Sequence, residues 1–232
     1  MKITVITLFP EMFVGPFDHS ILKRAAMKNL LEITFVNIRQ FATDPYGSVD
    51  DKPYGGGHGM ILRVDIVDKA IDHAKSLYNN VKPHVVLIDA QGAPYTQKKA
   101  SSLALIEHLI LVCGHYEGFD ERIRNLVDEE ISIGDYILTG GEIPAMVLVD
   151  SIARLLPGAL TKEISSTDES FTASPTMLEH PQYTRPELYK NMLVPSILLS
   201  GNHKNIQEWR VASAVEKTIK RRPDLANRKL KD

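Results

Sequence analysis

The chain has 232 residues, of which 44% are hydrophobic and 24% charged, and its formal net charge is −2. This composition is typical of a globular protein with a sizeable core, and it argues against a disordered or fibrous chain. No apolar run approaches the roughly 20 residues that cross a bilayer, so we expect no membrane partner. The single cysteine, Cys113, excludes an intrachain disulfide and indicates a reducing, cytoplasmic environment.

The first 160 residues show a regular alternation of predicted strands and helices. The strand segments are rich in β-branched residues, and the helical segments place apolar residues on one face. This alternation predicts an α/β domain with a mainly parallel sheet. Strands are predicted at residues 2–8, 31–38, 85–89, 109–113 and 129–133, and helices at residues 18–30, 64–78, 96–108, 119–127 and 143–156.

The chain changes character after this first domain, which we place at residues 1–160. Residues 161–175 are polar and predict a flexible interdomain linker. Residues 176–232 predict a small helical domain, with a helix at 206–222 that turns Trp209, Val215 and Ile219 inward.

Charge is concentrated at the C-terminal end. Residues 201–232 contain nine Lys or Arg and four Asp or Glu, a balance of +5, so the first 200 residues carry −7. A basic segment on an acidic body favours a local anionic partner such as nucleic acid, although a solvated helix face has the same composition.

Three successive strands end in polar loops that contain glycine, at 89–92, 114–118 and 134–141. In open α/β sheets the ligand crevice lies outside the carboxyl ends of the strands, so these loops predict a pocket. Gly140 and Gly141 precede the last predicted helix of the domain and allow a ligand to approach the main chain. A tight strand-to-helix turn would use the same glycines, so both interpretations stand at this point.

The usual nucleotide and metal motifs are missing. There is no Gly-x-Gly-x-x-Gly after the first strand, no phosphate-binding Gly-x-x-x-x-Gly-Lys, and no His-Glu-x-x-His or paired-cysteine pattern. Glu117 and Asp135 lie in two of the pocket loops and favour a cationic ligand group. Arg154 lies on an otherwise apolar helix face, where it either pairs in a structural salt bridge or acts in a site.

Several short motifs are shared with one known family. In chain order they are Pro53-Tyr54-Gly55-Gly56-Gly57, Gly59-Met60, Cys113-Gly114, Tyr116-Glu117-Gly118, Asp120-Glu121-Arg122, Ser132-Ile133-Gly134-Asp135-Tyr136, Gly140-Gly141-Glu142, Pro144-Ala145-Met146, Arg154, Tyr183-Thr184-Arg185-Pro186 and Leu199-Ser200-Gly201-Asn202-His203. With these motifs the chain resembles the bacterial tRNA (guanine-N1)-methyltransferases of the SPOUT superfamily. Enzymes of that family modify the guanine on the 3′ side of the anticodon, at tRNA position 37.

The resemblance implies a fold, a cofactor and partners. The N-terminal domain would contain a trefoil knot, one of the few exceptions to unthreaded chains, and its three loops would hold S-adenosylmethionine. The protein would be a homodimer with an active site shared between subunits, and its C-terminal domain would grip tRNA. Whether the reaction also requires Mg²⁺, which the protein itself would not bind, stays open.

The resemblance also implies residue roles. Arg154 would stabilise O6 of the target guanine, and a carboxylate in the linker would take the N1 proton. The family usually has Asp-Ser-Phe there, whereas this chain has Glu169-Ser170-Phe171 preceded by Asp168, so both acids stay candidates and register favours Glu169. The implied substrate-binding residues are Gly59, Ser170, Arg185 and His203. The implied cofactor-binding residues are Ile88, Asp89, Ala90, Gly114, Glu117, Ile133, Gly134, Asp135, Tyr136, Ile137, Leu138, Gly140, Gly141 and Pro144.

Two other functions remain open from the sequence. The basic C-terminal segment would suit a noncatalytic RNA-binding module, which would make no use of the pocket loops. A methyltransferase acting on ribosomal RNA would use them on another substrate.

Overall fold

The computed structural model describes residues 1–160, 169–172, 174 and 176–228. The chain divides into two compact units, residues 1–161 and 162–232. The candidate base Asp168 and most of the predicted linker lie outside the described residues. Among the described helices, none is both long and apolar enough to cross a membrane.

Unit 1 is built on a five-stranded parallel sheet. This confirms the predicted α/β class with a parallel sheet, and each predicted strand is present. The strands are β1 (Lys2–Thr7), β2 (Glu32–Asn37), β5 (Pro83–Pro94), β6 (His108–Cys113) and β7 (Glu129–Ser132), and their order in the sheet is β2-β1-β6-β5-β7. A small antiparallel pair that follows β2 in the chain is formed by β3 (Asp50–Asp51) and β4 (Ile61–Leu62).

Helices cover both faces of this sheet. The α-helices of unit 1 are α1 (Ser20–Met27), α2 (Val64–Ser76), α3 (Gln97–Leu103) and α4 (Glu142–Ala153). Short 3₁₀ helices lie at Pro10–Phe13, Ile38–Phe41 and Glu121–Leu126. The last of these replaces the α-helix predicted at 119–127. Asp120 caps its N-terminus, because the Asp120 carboxylate accepts a 3.0 Å hydrogen bond from the Arg122 N–H.

The central strand β6 shows why the sheet was predictable. All six of its residues are buried. Leu109 and Leu111 pack into the core on the side of α1 and α4, whereas Ile110 and Val112 pack on the side of α2. A parallel strand covered on both faces has a continuous apolar sequence of this kind.

Strand β5 differs from its prediction. The strand was expected to end at Asp89, but it continues to Pro94, and Ile88 and Ala93 both align with Ile131 of β7. A Cβ on Gly92 would lie 2.7 Å from the main-chain carbonyl carbons of Glu130 and Ile131. Glycine therefore permits the close approach of β7 at this irregularity, and Ala90 and Gln91 within it are exposed.

Unit 2 contains β8 (Leu188–Tyr189), β9 (Met192–Leu193), α5 (Ser196–Leu199), α6 (His203–Arg221) and α7 (Pro223–Arg228). The main helix α6 starts earlier than predicted, because the Asn202 side chain caps it by accepting a hydrogen bond from the Asn205 N–H. The predicted inward orientation of two residues is wrong, since Val215 is 43% and Ile219 58% exposed.

The buried line of α6 is instead formed by Ala214 and Thr218. The chain segment that contains Leu178 packs against this line, and the Leu178 N–H donates to the Thr218 hydroxyl at 3.0 Å. Small side chains allow this main chain to approach the helix closely, which the apolar pattern alone does not reveal.

Candidate active site

The irregular second half of β5 and the loops that follow β6 and β7 line a cleft of about 170 Å³ at the carboxyl edge of the sheet. The cleft brings together all of the residues predicted to bind the cofactor except Asp135, which is exposed and does not line it. Lining residues that sequence reasoning had not assigned to the site are His115, Tyr116, Gly118, Phe119, Ile131, Ser132 and Thr139.

Gly140 and Gly141, which we call the glycine pair, pack directly on the loop after β6. The Gly141 N–H donates to the Gly114 carbonyl at 2.8 Å. A Cβ on Gly141 would lie 2.7 Å from the Cys113 Cα and from the Gly114 nitrogen, so no larger residue fits without moving the main chain. The tight-turn interpretation is therefore confirmed. The same turn lines the cleft, and close approach of a ligand to it stays a prediction.

A buried carboxylate anchors the start of α4 beneath this wall. Glu142 is 2% exposed and accepts a 2.7 Å hydrogen bond from the Thr7 hydroxyl at the end of β1. Burial raises the pKa of the neighbouring Cys113 thiol, and the Glu142 carboxylate raises it further. Cys113 is thus a neutral packing residue and not a nucleophile.

His115 lies close to the Glu142 carboxylate. A Cβ on Gly140 would approach both the Glu142 carboxylate and His115 Nδ1, the latter at 2.8 Å. Within the described residues His115 Nδ1 is buried and has no hydrogen-bond partner. The histidine follows Gly114 just after a buried strand, and this position is the sequence signal by which it could have been placed in the cleft.

Glu117 connects the cleft with the glycine-rich segment 53–60. The Glu117 N–H donates to the Met60 carbonyl at 3.0 Å, and the Leu62 N–H donates to the Gly118 carbonyl at 2.9 Å. A Cβ on Gly59 would lie 2.8 Å from Glu117 Oε1. Gly59, predicted to bind substrate, is therefore adjacent to a predicted cofactor residue.

Asp89 forms the opposite rim and is part of an ion-pair network. Its carboxylate is 2.8 Å from the Arg124 guanidinium, which also pairs with Glu121 at 2.9 Å and with Glu130. The Glu121 carboxylate and then the Asp89 carboxylate raise the pKa of Arg124. Asp89 therefore adds little net charge to the cleft, and Glu117 is the carboxylate left to attract a cation.

Arg154 lies at the other end of α4 from the glycine pair. It is half-buried and follows the last residue of this 12-residue helix. At 1.5 Å per residue the helix is about 18 Å long, which exceeds the reach of an arginine side chain. The structure thus does not bring Arg154 together with the cofactor-binding loops of its own chain.

The remaining predicted residues belong to unit 2. Glu169 lines a separate hollow beside α6, and the Ser170 hydroxyl accepts a 2.9 Å hydrogen bond from the Glu179 N–H. The described part of the predicted linker is therefore a hydrogen-bonded turn and not an extended tether. Arg185 and His203 are exposed, the latter in the first turn of α6.

A metal centre is not evident in the part of the chain that the structure describes. None of its His, Cys, Asp and Glu side chains forms a group of three or more that could hold a metal ion.

Comparison with known proteins places these features in one family. A family model described as tRNA (Guanine-1)-methyltransferase TrmD matches residues 1–228. A tRNA (guanine-N(1)-)-methyltransferase of Pelotomaculum thermopropionicum is 51% identical over 226 residues, which cover 97% of this chain and 89% of the relative. Relatives with the same name from Bacillus cereus (strain AH820) and Bacillus anthracis (strain A0248) are 53% identical over 226 residues, with 97% and 91% coverage.

Proposed function

The chain belongs to the tRNA (guanine-1)-methyltransferase family, and on this premise we propose that it methylates N1 of the guanine at tRNA position 37. The methyl donor is S-adenosylmethionine. The observation that carries the proposal is the cleft formed by the three strand-end loops, because it lies within a chain matched almost entirely by this family. With tRNA as the substrate and a single buried cysteine, we assign the reaction to the cytoplasm.

The residues of the cleft fit S-adenosylmethionine. Ile88, Ile133, Leu138 and Pro144 provide apolar surface for an adenine ring, and the glycine pair exposes main chain for polar contacts. Glu117 provides negative charge for the cationic part of the ligand. When bound, S-adenosylmethionine supplies an electrophilic methyl group on a sulfonium centre. We further propose that the three loops form the trefoil knot of this family, and we assign no metal to the reaction.

The target nitrogen carries a proton, so the reaction needs a base. We propose the Glu169 carboxylate, with Asp168 as the alternative. Positive charge is also needed where negative charge develops on guanine O6, and Arg154 would provide it. The guanine must leave its stack to meet these groups, and an anticodon loop permits this because its bases are unpaired.

We propose that the working form is a homodimer with composite sites. Ile143 and Val147 lie on the exposed side of α4 and are 46% and 42% exposed, although the rest of this helix is largely buried. An exposed apolar stripe on a core helix is typical of a subunit interface. Pairing through α4 would also let Arg154 act in the cleft of the partner subunit.

Labelled S-adenosylmethionine tests the function directly. The protein should methylate an unmodified tRNA transcript that has guanine at position 37, and an otherwise identical transcript with adenine there should stay unlabelled. Ribosomal RNA is the matched alternative substrate, and its labelling in place of tRNA would contradict the proposal. Binding of tRNA without any transfer would leave the noncatalytic RNA-binding module.

We expect S-adenosylmethionine and its demethylated product to bind without tRNA, because all of the cleft belongs to unit 1. A ligand at about 100 times its dissociation constant stabilises the folded state by about 2.7 kcal/mol. A thermal shift should therefore appear on adding ligand, and calorimetry should give the affinity. The absence of both a thermal shift and a calorimetric signal at millimolar ligand would contradict the assignment of the cleft.

Gly141→Ala should weaken S-adenosylmethionine binding by more than about tenfold, because the new methyl group would force apart the main chain at Cys113 and Gly114. Gly47→Ala is the matched control. Gly47 has a φ of +70° with nothing within 4 Å of an added Cβ, so the substitution costs about 1 kcal/mol of backbone strain without touching the cleft. Calorimetry on both variants should show weakened binding for Gly141→Ala alone.

A further inference from the structure

Unit 2 contains a second cleft, which differs in chemistry from the cofactor cleft. It is open, has a volume of about 550 Å³, and lies between residues 181–183 and one face of α6. Its aromatic and charged lining residues are Tyr183, Trp209, Glu216, Lys217, Lys220 and Arg221. We refer to it as the aromatic–basic cleft.

Helical spacing aligns its polar and aromatic groups. Trp209, Ser213, Lys217 and Arg221 follow one another at intervals of four residues and therefore lie in one row along α6. Lys220 lies three residues after Lys217 and broadens this row. The aromatic ring is thus at one end of the row and the cations are at the other.

The aromatic end offers ring surface that the protein does not cover. Tyr183 is 50% exposed, and its ring centroid is 6.4 Å from that of Trp209 at an interplanar angle of 53°. The rings therefore neither stack fully on each other nor pack into the core. Uncovered aromatic faces of this kind provide stacking surface for nucleobases.

The basic end of the row has cations that ion pairs do not neutralise. Among the described residues no carboxylate forms an ion pair with Lys217, Lys220 or Arg221. Glu216 is the single acidic residue of the lining, so cations outnumber it there. The cleft consequently favours an anion that also carries a flat, apolar group.

We propose that the aromatic–basic cleft binds an unpaired nucleotide of the RNA substrate, with its base on Tyr183 and Trp209 and its phosphates at the row of cations. The inference rests on the proposed function in that the RNA is tRNA. A paired stem would contact only the cations, because its bases are stacked inside the duplex. The exposed aromatic pair is the feature that favours a single-stranded segment.

The protein provides its own reporter, because Trp209 is the only tryptophan in the chain. Titration of the whole protein with unmodified tRNA transcript, or with its anticodon stem–loop, should quench this fluorescence to saturation. A fully paired RNA duplex of equal length should bind more weakly and change the emission little. Polyglutamate serves as the acidic-peptide probe, and equal quenching by it would overturn the proposal in favour of a general anion site.

Tyr183→Ala keeps the reporter and should weaken binding of the stem–loop by about 5- to 100-fold, whereas Tyr183→Phe should bind normally. Tyr189→Ala removes another exposed tyrosine of unit 2 and is the matched control. The pair Lys217→Ala and Lys220→Ala should lower the slope of log K against log salt by about 0.7 per lost phosphate contact. Lys204→Ala, elsewhere on α6, should leave that slope unchanged.

The outcomes separate this inference from the proposed function. If the tRNA is bound and methylated while Trp209 emission stays constant and Tyr183→Ala binds normally, the cleft is not an RNA site and the function stands. If no transcript binds or is methylated, the proposed function fails, and this inference fails with it.

Discussion

Glu169→Ala should lower kcat by about 10²–10⁴-fold, the usual contribution of a general base, while S-adenosylmethionine binds with unchanged affinity. The separation follows because Glu169 belongs to unit 2, whereas the cofactor cleft belongs to unit 1. Glu169→Gln should be equally impaired, since it keeps the shape of the side chain and removes the basic oxygen. Single-turnover methylation of a tRNA transcript measures the chemical step.

Glu179→Ala is the matched control, because Glu179 lines the same hollow beside α6 as Glu169. Its turnover should be close to that of the unchanged protein. If instead Glu169→Ala is active and Asp168→Ala is not, Asp168 is the base. Activity in both single variants and in the double variant would contradict a base in this segment.

Arg154→Ala should show the same pattern, with turnover reduced by about 10²–10³-fold and cofactor affinity retained. Retained affinity is expected because the residue lies about 18 Å along α4 from the glycine pair of its own chain. Weakened S-adenosylmethionine binding with normal turnover would contradict its role at O6.

The sequence was sufficient for the centre of the sheet because β6 is buried on both faces and therefore has a continuous apolar sequence. The three loops were predictable for a related reason, since parallel strands deliver their carboxyl ends to one edge. Neither inference depends on knowing which distant residues touch.

The features that escaped prediction depend on such distant contacts. The bond from Thr7 to Glu142 joins residues 135 positions apart, and no local pattern indicates it. The buried line of α6 is set by the segment that packs on Thr218 and not by its largest apolar side chains. Gly92 did carry a signal, because a glycine inside a strand often marks an irregularity.

Subunit mixing should restore activity to a pair of inactive variants if the active site is composite. Gly140→Trp should disable the cofactor cleft, because even a Cβ at this position would meet the Glu142 carboxylate and His115 Nδ1. Glu169→Ala should disable the base. Each protein alone should be nearly inactive, because every site of its symmetric dimer would carry the same lesion.

If the two variants are mixed in equal amounts and their subunits exchange, about half of the dimers would be hybrids. In each hybrid one site would combine an intact cleft with an intact Glu169, and the other site would carry both lesions. Activity should therefore recover to about a quarter of that of the unchanged protein. Native mass spectrometry of differently tagged subunits would measure the fraction of hybrids independently.

The same experiment with Arg154→Ala in place of Glu169→Ala examines the part of the site that the structure constrains most. Arg154 and the glycine pair lie at opposite ends of one helix, so a single chain cannot bring them together without breaking α4. Recovery is therefore expected for this pair as well. As a control, Gly140→Trp mixed with Gly141→Trp should stay inactive, because both lesions block a cleft and neither protein supplies an intact one. If hybrids form and neither Arg154→Ala nor Glu169→Ala is rescued by Gly140→Trp, the site is built within one chain and the composite arrangement is refuted.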